Sequence, residues 1–338
     1  MLYIRTDANK HIAAGHVMRC LAIAAELRKQ GEDTVFLVTE EEAAEIIRRF
    51  QFRSVLLGGA WNDLEKGMDE LTGFIQSENI HKLLVDSYYA SVHFFKILSS
   101  CVKLIYLGSL EKAFPGISLL INYSNTCNAD FYAKAYHPQT VKLLGVKYAP
   151  LREEFRGLKP ITREQVKNIL ITTGSSDENN ITARLTEDLI SLFPGLNYHL
   201  AAGGLNRNKR SLEELKARRR NVTLYFDSDA MAPLMRSCDV ALSASGTTMY
   251  ELCACGVPSV CFSITGEQDE SGKTFGNNGV LFYAGNIADD YNACLQKIKY
   301  ALERLINDFE LRKNSAAKMN AYIDGNGCSR IAREIMKL

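Results

Sequence analysis

Three segments of this 338-residue chain carry side chains able to do chemistry, and each follows a short apolar run and precedes a helix-length one. The first, from Asp7 to Leu21, contains Gly15, His16 and Arg19. A neutral imidazole near pH 7 suits removal of a proton from water or a hydroxyl, and a helix N-terminus favours the neutral form. The other role open to His16 is capping or packing. A single glycine stands here, so the G-x-G-x-x-G fingerprint of dinucleotide folds is absent. The second segment, Thr172-Thr173-Gly174-Ser175-Ser176-Asp177, offers bare amides and hydroxyls to phosphate oxygens. It reads equally as an ordinary turn capped by Asp177 or Asn179.

The third segment is the most telling. Val240–Ser243 runs into Ala244-Ser245-Gly246-Thr247-Thr248 and then Glu251, with Gly256-Val257-Pro258 beyond. First-turn amides and two threonine hydroxyls would converge on one point, a ready site for a diphosphate. Glu251, one turn on, could accept hydrogen bonds from a ribose diol, or serve only the helix dipole. Asp227-Ser228-Asp229 has the D-x-D form that holds a metal-bound diphosphate in some transferases, but an aspartate before Ala230-Met231 most economically caps a helix. Cys253 and Cys255 lack a second ligand pair at zinc spacing. His81, His93, His137 and His199 also show no metal-ligand spacing, so no metal and no cofactor is expected.

The elements that must position these residues alternate. Strands are expected at 2–5, 34–38, 54–57, 82–86, 103–107 and 119–122, with helices at 16–30, 41–49, 64–78 and 91–100 between them. After Val141–Pro150 and a linker near 155–165 with Gly157 and Pro160, a second cycle follows. Its strands are read at 168–172, 198–202, 222–226, 240–243, 258–263 and 280–282. Its helices are read at 179–193, 212–219, 231–236, 248–254 and 288–305, with a final pair near 310–322 and 328–337. This is the pattern of parallel sheets covered on both faces. It implies two α/β, doubly wound, Rossmann-like domains, 1–157 and 158–338, with ligands in a cleft between them.

Bulk properties narrow the partners. A net charge of +1 gives no case for nucleic acid or an anionic membrane. The run Lys209-Arg210 with Arg218-Arg219-Arg220 reads as a solvated helix face. Nine scattered cysteines, several in apolar runs, suit buried free thiols in a reducing cytosol. Charge at Arg5 and the lack of any apolar stretch of spanning length point to a cytoplasmic protein without a membrane span. A monomer is expected.

Several segments resemble known proteins. Tyr225-Phe226-Asp227 with Met231-Ala232, Ser245-Gly246-Thr247-Thr248 with Glu251, and Gly256-Val257-Pro258 look like the UDP-binding half of GT-B proteins related to the lipid II-forming transferase MurG. The first loop is closer to the PseG family, hydrolases of UDP-2,4-diacetamido-2,4,6-trideoxy-β-L-altropyranose in pseudaminic acid biosynthesis. That family begins with Arg-x-Asp, then Ile-Gly-x-Gly-His-x-x-Arg; this chain has Arg5-Thr6-Asp7 and Ile12-Ala13-Ala14-Gly15-His16-Val17-Met18-Arg19. Asp86 followed by Tyr88, Leu151-Arg152-Glu153-Glu154-Phe155, Gly174, Ser243-Ala244-Ser245 and Gln268 continue the match in order.

The resemblance implies a GT-B fold and a metal-independent hydrolase in which His16 activates water at the anomeric carbon and UDP leaves with inversion. Tyr88 and Gln268 would lie near the sugar, Gly246, Thr247 and Thr248 on the diphosphate, Glu251 on the ribose and the backbone near Phe226 on the uracil. Gly15, Arg19, Gly174 and Ser245 complete the implied substrate-binding set. The chain departs from the family at Ala13, at Gly108-Ser109 where the family has two aspartates, and at Glu267, which would put a carboxylate beside the sugar. Two other functions compete. One is a MurG-like glycosyltransferase, with His16 deprotonating an acceptor hydroxyl; the other is a nucleotide-sugar-binding module without chemistry. Residues 41–80 show no clear apolar-basic stretch for a lipid acceptor, which favours hydrolysis.

Overall fold

Runs such as Val35-Phe36-Leu37-Val38 are apolar at every position because both faces of the strand they form are buried, the condition of a parallel sheet sandwiched by helices. A computed structural model of the chain describes every residue except Ser175, Ser176, Glu178 and Leu205, and describes Glu267 by its backbone alone. The described residues form two units, Met1–Glu153 with Asn326–Leu338, and Glu154–Gly325.

The first unit contains β1 (Leu2–Arg5), α1 (Gly15–Lys29), β2 (Thr34–Val38), α2 (Glu41–Arg49), β3 (Arg53–Leu56), α3 (Met68–Ser77), β4 (Lys82–Val85), α4 (Val92–Leu98), β5 (Lys103–Leu107), β6 (Ile117–Asn122), α5 (Ala129–Ala135) and β7 (Val141–Leu144). Its seven strands are ordered β3-β2-β1-β4-β5-β6-β7 and every pairing is parallel. One core, with Leu2, Ile4, Phe36 and Val38, lies under α1 and α2; the other, with Leu83, Val85, Phe94 and Phe95, lies under α3 and α4.

The second unit contains β8 (Asn168–Thr172), α6 (Ile181–Leu192), β9 (Asn197–Ala202), α7 (Lys209–Arg218), β10 (Val222–Phe226), α8 (Met231–Ser237), β11 (Val240–Ala244), α9 (Thr248–Cys255), β12 (Ser259–Ser263), α10 (Gly266–Asn277), β13 (Phe282–Asn286), α11 (Tyr291–Asn307) and α12 (Phe309–Tyr322). Its sheet, β10-β9-β8-β11-β12-β13, repeats the first six-strand order of the other unit. In each sheet the order reverses beside the first strand, between β1 and β4 and between β8 and β11. That reversal opens a crevice at the carboxyl ends of the strands, where ligands bind in folds of this kind.

The last helix, α13 (Gly327–Met336), returns to the first unit. Its Ile331, Ala332 and Ile335 are fully buried in the cluster that contains Val17, Cys20 and Leu27 of α1. Each fully buried aliphatic side chain contributes about 1.5–3 kcal/mol, so this face decides where the helix packs. Gly327 permits the approach, since a Cβ there would meet the Ala149 carbonyl oxygen at 2.0 Å. The division expected at 157/158, with both final helices in the second domain, therefore differs from the observed break at Glu153/Glu154. Among the described residues no helix is long and apolar enough to cross a membrane.

Candidate active site

At the reversal point of the first sheet, Arg5 ends β1 opposite Val85 of β4, and the Asp86 amide donates to the Arg5 carbonyl at 3.0 Å. Asp86 is 1% exposed and is surrounded by donors. His16 Nδ1 lies 2.6 Å from its Oδ1, Arg19 Nε donates to Oδ2 at 2.6 Å, and Arg19 Nη2 donates to Oδ1. The Cys20 thiol approaches Oδ2 at 3.4 Å. The partners come from one face of α1, because residues 16, 19 and 20 are neighbours on a helix surface. Burial alone would raise the Asp86 pKa; the Arg19 guanidinium and His16 outweigh it and hold the carboxyl well below its usual range. Burial likewise works against the Arg19 charge, and Asp86 beside it overcomes this and raises the Arg19 pKa. Arg19 Nη1 also donates to the Tyr123 hydroxyl at 3.0 Å.

This network selects a histidine tautomer. Nδ1 faces a carboxylate oxygen at 2.6 Å and Arg19 Nη2 at 2.9 Å. Were Nδ1 to carry only a lone pair, it would oppose an anion at that distance; with its proton it donates to Asp86, the closer of its two neighbours, while one of the two Nη2 hydrogens of Arg19 also goes to that carboxylate. Nε2 then keeps its lone pair, and no described residue bonds it. His16 is 7% exposed and lines a depression together with Asp7, Asp86 and Tyr88. Tyr88 meets it edge-on, centroids 4.7 Å apart, and is itself 46% exposed. Thus the first unit brings His16, Arg19 and Tyr88 together around a carboxylate. The sequence offered Asp86 only as a position in a resemblance; its partners stand 66 to 70 residues away.

The loop before α1 is folded by its own side chains. Asn9 Oδ1 accepts the amides of His11 and Ile12 at 2.9 and 3.2 Å, and Asn9 bridges to Ala13. Ala13 takes a φ of +54°, where glycine is easiest. Arg5 and Asp7 form a buried ion pair, and Asp7 also accepts the Thr39 amide at 2.7 Å, fixing the floor of the depression. A Cβ at Gly15 would meet nothing within 4 Å, so space is open where α1 begins. At Gly108 the opposite holds: a Cβ would stand 2.3 Å from the hydroxyl oxygen of buried Tyr106. The tyrosine occupies the room an aspartate would need.

At the reversal point of the second sheet the materials are different. Thr172 of β8 pairs with Ser243 of β11, so Gly174 and Ser245 each follow that pair by two residues. Gly174 has a φ of +90°, and among the described residues Cβ atoms added at Gly174 or Gly246 would meet nothing beyond their chain neighbours within 4 Å. Ser245 is buried, and its hydroxyl donates to the Phe262 carbonyl at 3.0 Å, which stiffens the turn. Thr247 is exposed and Thr248 and Glu251 half-buried at the start of α9. Of the second loop, Asp177 accepts the Ile181 and Thr182 amides at 2.8 and 3.1 Å and so caps α6, while Ser175 and Ser176 lie outside the described residues.

Two expected residues sit away from this point. Phe226 ends β10, at the sheet edge, with Lys209 Nζ 5.6 Å from its ring centre. Gln268 lies in α10, and its Oε1 accepts the Ile264 amide at 3.1 Å. The side chain of Glu267 lies outside the described residues. At the start of α8 the capping position falls on Ala230, and Glu154 Oε2 accepts the Ala232 amide at 3.0 Å. Asp227 instead adopts a φ of +45° with its carboxylate against Gly204.

No family model matches the chain. An uncharacterised protein of Methanocaldococcus jannaschii is 27% identical over 272 residues, covering 76% of this chain and 54% of that protein, so the chain spans about half its length. The UDP-2,4-diacetamido-2,4,6-trideoxy-β-L-altropyranose hydrolase of Campylobacter jejuni is 23% identical over 262 residues, covering 76% of this chain and 90% of the hydrolase. Among solved structures, MurG of Acinetobacter baumannii matches with a TM-score of 0.68 at 15% identity, covering 100% of this chain and 99% of that one. In fold the chain is similar to MurG, as two parallel sheets each covered by helices. In sequence it is similar to the Campylobacter hydrolase.

Proposed function

We propose that this chain hydrolyses a UDP-linked amino or deoxy sugar of the pseudaminic-acid type, with no metal required, water attacking the anomeric carbon to release UDP and free sugar. The observation that carries this reading is the 2.6 Å contact between His16 Nδ1 and the buried Asp86 carboxylate, which leaves Nε2 as an available base beside the depression. Nε2 removes a proton from water as the new oxygen–carbon bond forms. The bond from the anomeric carbon to the diphosphate oxygen breaks, and UDP departs with the electron pair, inverting that carbon. Asp86, held ionised by Arg19, stabilises the imidazolium that results. Arg19 is thus a positioning residue, its donors directed to Asp86 and Tyr123.

The remaining roles follow chemistry at each position. Tyr88 and the open space at Gly15 flank the sugar. The second unit supplies the diphosphate site at Gly246, Thr247 and Thr248, on a turn shaped by Gly174 and Ser245, with Glu251 for the ribose diol, the backbone at Phe226 for the base and the Gln268 amide for the sugar. UDP is a good leaving group, so a positioned water and stabilised diphosphate supply most of the rate. The GT-B fold and the likeness to the Campylobacter hydrolase support the same substrate class.

The test is mass-spectrometric turnover of a UDP-sugar panel in oxygen-labelled water with EDTA present. Label in the sugar is expected; label in UDP, or no release of UDP, would overturn the reading. The full-length likeness to MurG favours one alternative, transfer to an acceptor hydroxyl. UDP release that depends on an added hydroxyl acceptor would establish it.

A further inference from the structure

His16 shares its depression with an aromatic wall that the chemistry above leaves largely unused. Trp61, the only tryptophan of the chain, stands in the loop between β3 and α3 and lines the depression together with Tyr88 and Tyr89. Its ring stacks on His11, centroids 5.8 Å apart and planes 10° apart, and meets Tyr89 edge-on at 5.2 Å. Tyr88 lies edge-on to His16 itself.

The loops that carry these rings are tied together. The Ser91 hydroxyl, at the start of α4, donates to Glu65 and accepts the Phe94 amide at 3.0 Å, which fixes the Trp61 loop to the segment bearing both tyrosines. The neck of that loop is closed by two glycines: a Cβ on Gly59 would stand 2.3 Å from the Lys66 carbonyl oxygen, and one on Gly67 2.3 Å from that of Gly58. Glu70 accepts the Gly58 amide at 2.9 Å, and Leu64 is buried.

The floor is equally filled. Asp7 Oδ1 accepts the Thr39 amide at 2.7 Å, and its Oδ2 accepts the Thr39 hydroxyl at 3.0 Å as well as Arg5. Both oxygens of Asp86 already accept from α1. Space is as restricted as hydrogen bonding, for the depression has room for about one water molecule. A methyl or larger group on an attacking oxygen needs volume that Trp61 and the tyrosines occupy.

We propose that Trp61, with Tyr88 and Tyr89, is a nucleophile filter: it leaves space beside His16 for water and denies it to alcohols, so that the sugar is hydrolysed rather than transferred. This rests on the UDP-sugar reading of the site with His16 as base. An alcohol admitted in place of water would react by the same step. Its oxygen forms the bond to the anomeric carbon, its proton passes to Nε2, and UDP leaves with the electron pair of the broken bond, giving a glycoside.

The test is product partitioning. The member of the UDP-sugar panel that the native protein turns over fastest is incubated with excess methanol, and separately with excess glycerol, and free sugar and glycoside are counted by mass spectrometry. Native protein is expected to give free sugar as its product with both alcohols. Trp61→Ala is expected to raise the ratio of glycoside to free sugar at least about tenfold, since pocket volume discriminates by that order. Trp61→Phe, which keeps a ring in place, stays near the native ratio. Tyr89→Ala, at a residue 45% exposed, raises the ratio by a smaller factor and carries the test should Trp61→Ala fail to fold in a thermal melt. An unchanged ratio in the folded variants, or native glycoside in proportion to the alcohol supplied, would overturn the filter while leaving hydrolysis standing if labelled water enters the sugar. Loss of all turnover in Trp61→Ala and Tyr89→Ala alike would make the rings part of substrate binding and also overturn it. If the native protein turns over no UDP-sugar, or releases UDP only with an added acceptor, the hydrolysis reading falls and the filter with it.

Discussion

The two sheets share a strand order and a reversal point, yet equip that point in opposite ways. Between β1 and β4 the first unit places a buried carboxylate with a guanidinium, an imidazole and a thiol upon it. Between β8 and β11 the second places Gly174, Ser245 and Gly246, and among the described residues no atom beyond the chain neighbours comes within 4 Å of a Cβ built on either glycine. In the proposed reading the first point, which holds charge tightly, moves the proton, and the second keeps side chains away so that backbone meets an anion. On that reading the same topology supplies a chemical end and a binding end, and residue size and charge decide which is which.

Removing a partner from the charged point should have the largest effect. Asp86→Asn leaves the Arg19 charge buried without its counter-ion and is expected to cost about 3–5 kcal/mol, measured by urea unfolding, together with most of the activity. The same variant gives a pH signature. A carboxyl whose folded pKa is depressed contributes stability that is complete above its unfolded pKa, about 3.9, and is lost as pH falls through the folded value. The stability gap between the native protein and Asp86→Asn should therefore stay constant from neutral pH down to about pH 4 and narrow only below it. A gap that closes at pH 6 would mean that Asp86 is not held ionised in the fold.

At the binding end the effect should be smaller and of another kind. Gly246→Ala adds a Cβ that meets no protein atom within 4 Å, so unfolding should shift by less than about 0.5 kcal/mol. UDP affinity, measured by calorimetry, should nevertheless fall about tenfold if backbone approach to the diphosphate is what the glycine permits. Smallest of all, Ala13→Gly should stabilise the protein by up to about 1 kcal/mol, because it relieves a φ of +54° in the loop before α1. A loss of stability would show that the alanine methyl packs usefully.

Much of the architecture was legible because continuous apolar runs such as Val35–Val38 have strand length and β-branched content and alternate with helix-length segments, the pattern of strands buried on both faces. The helix α10 was not, since Gly266, Gly272 and Gly276 each oppose helix formation by roughly 1 kcal/mol. Tertiary packing explains them: a Cβ on Gly272 or Gly276 would lie 2.4 or 2.9 Å from Tyr283, so the glycines let the helix close on the sheet. The short α5 and β7 were missed for want of a periodic face, Tyr132 being the one buried residue of α5. At the site, the local spacing of Gly15, His16 and Arg19 could be read along one helix. The Asp86 and Tyr123 partners of Arg19, 67 and 104 residues away, follow the ends of β4 and β6 and leave no local pattern. Arg19 accordingly read as a substrate ligand, whereas its donors are turned to the protein.

The most direct measurement is kcat and UDP affinity side by side for His16→Ala. If His16 is the base at the chemical end, kcat should fall by about 10²–10⁴ while the dissociation constant of UDP stays within about twofold. Turnover close to that of the native protein would contradict the role of His16 and, with it, the division of labour between the two reversal points.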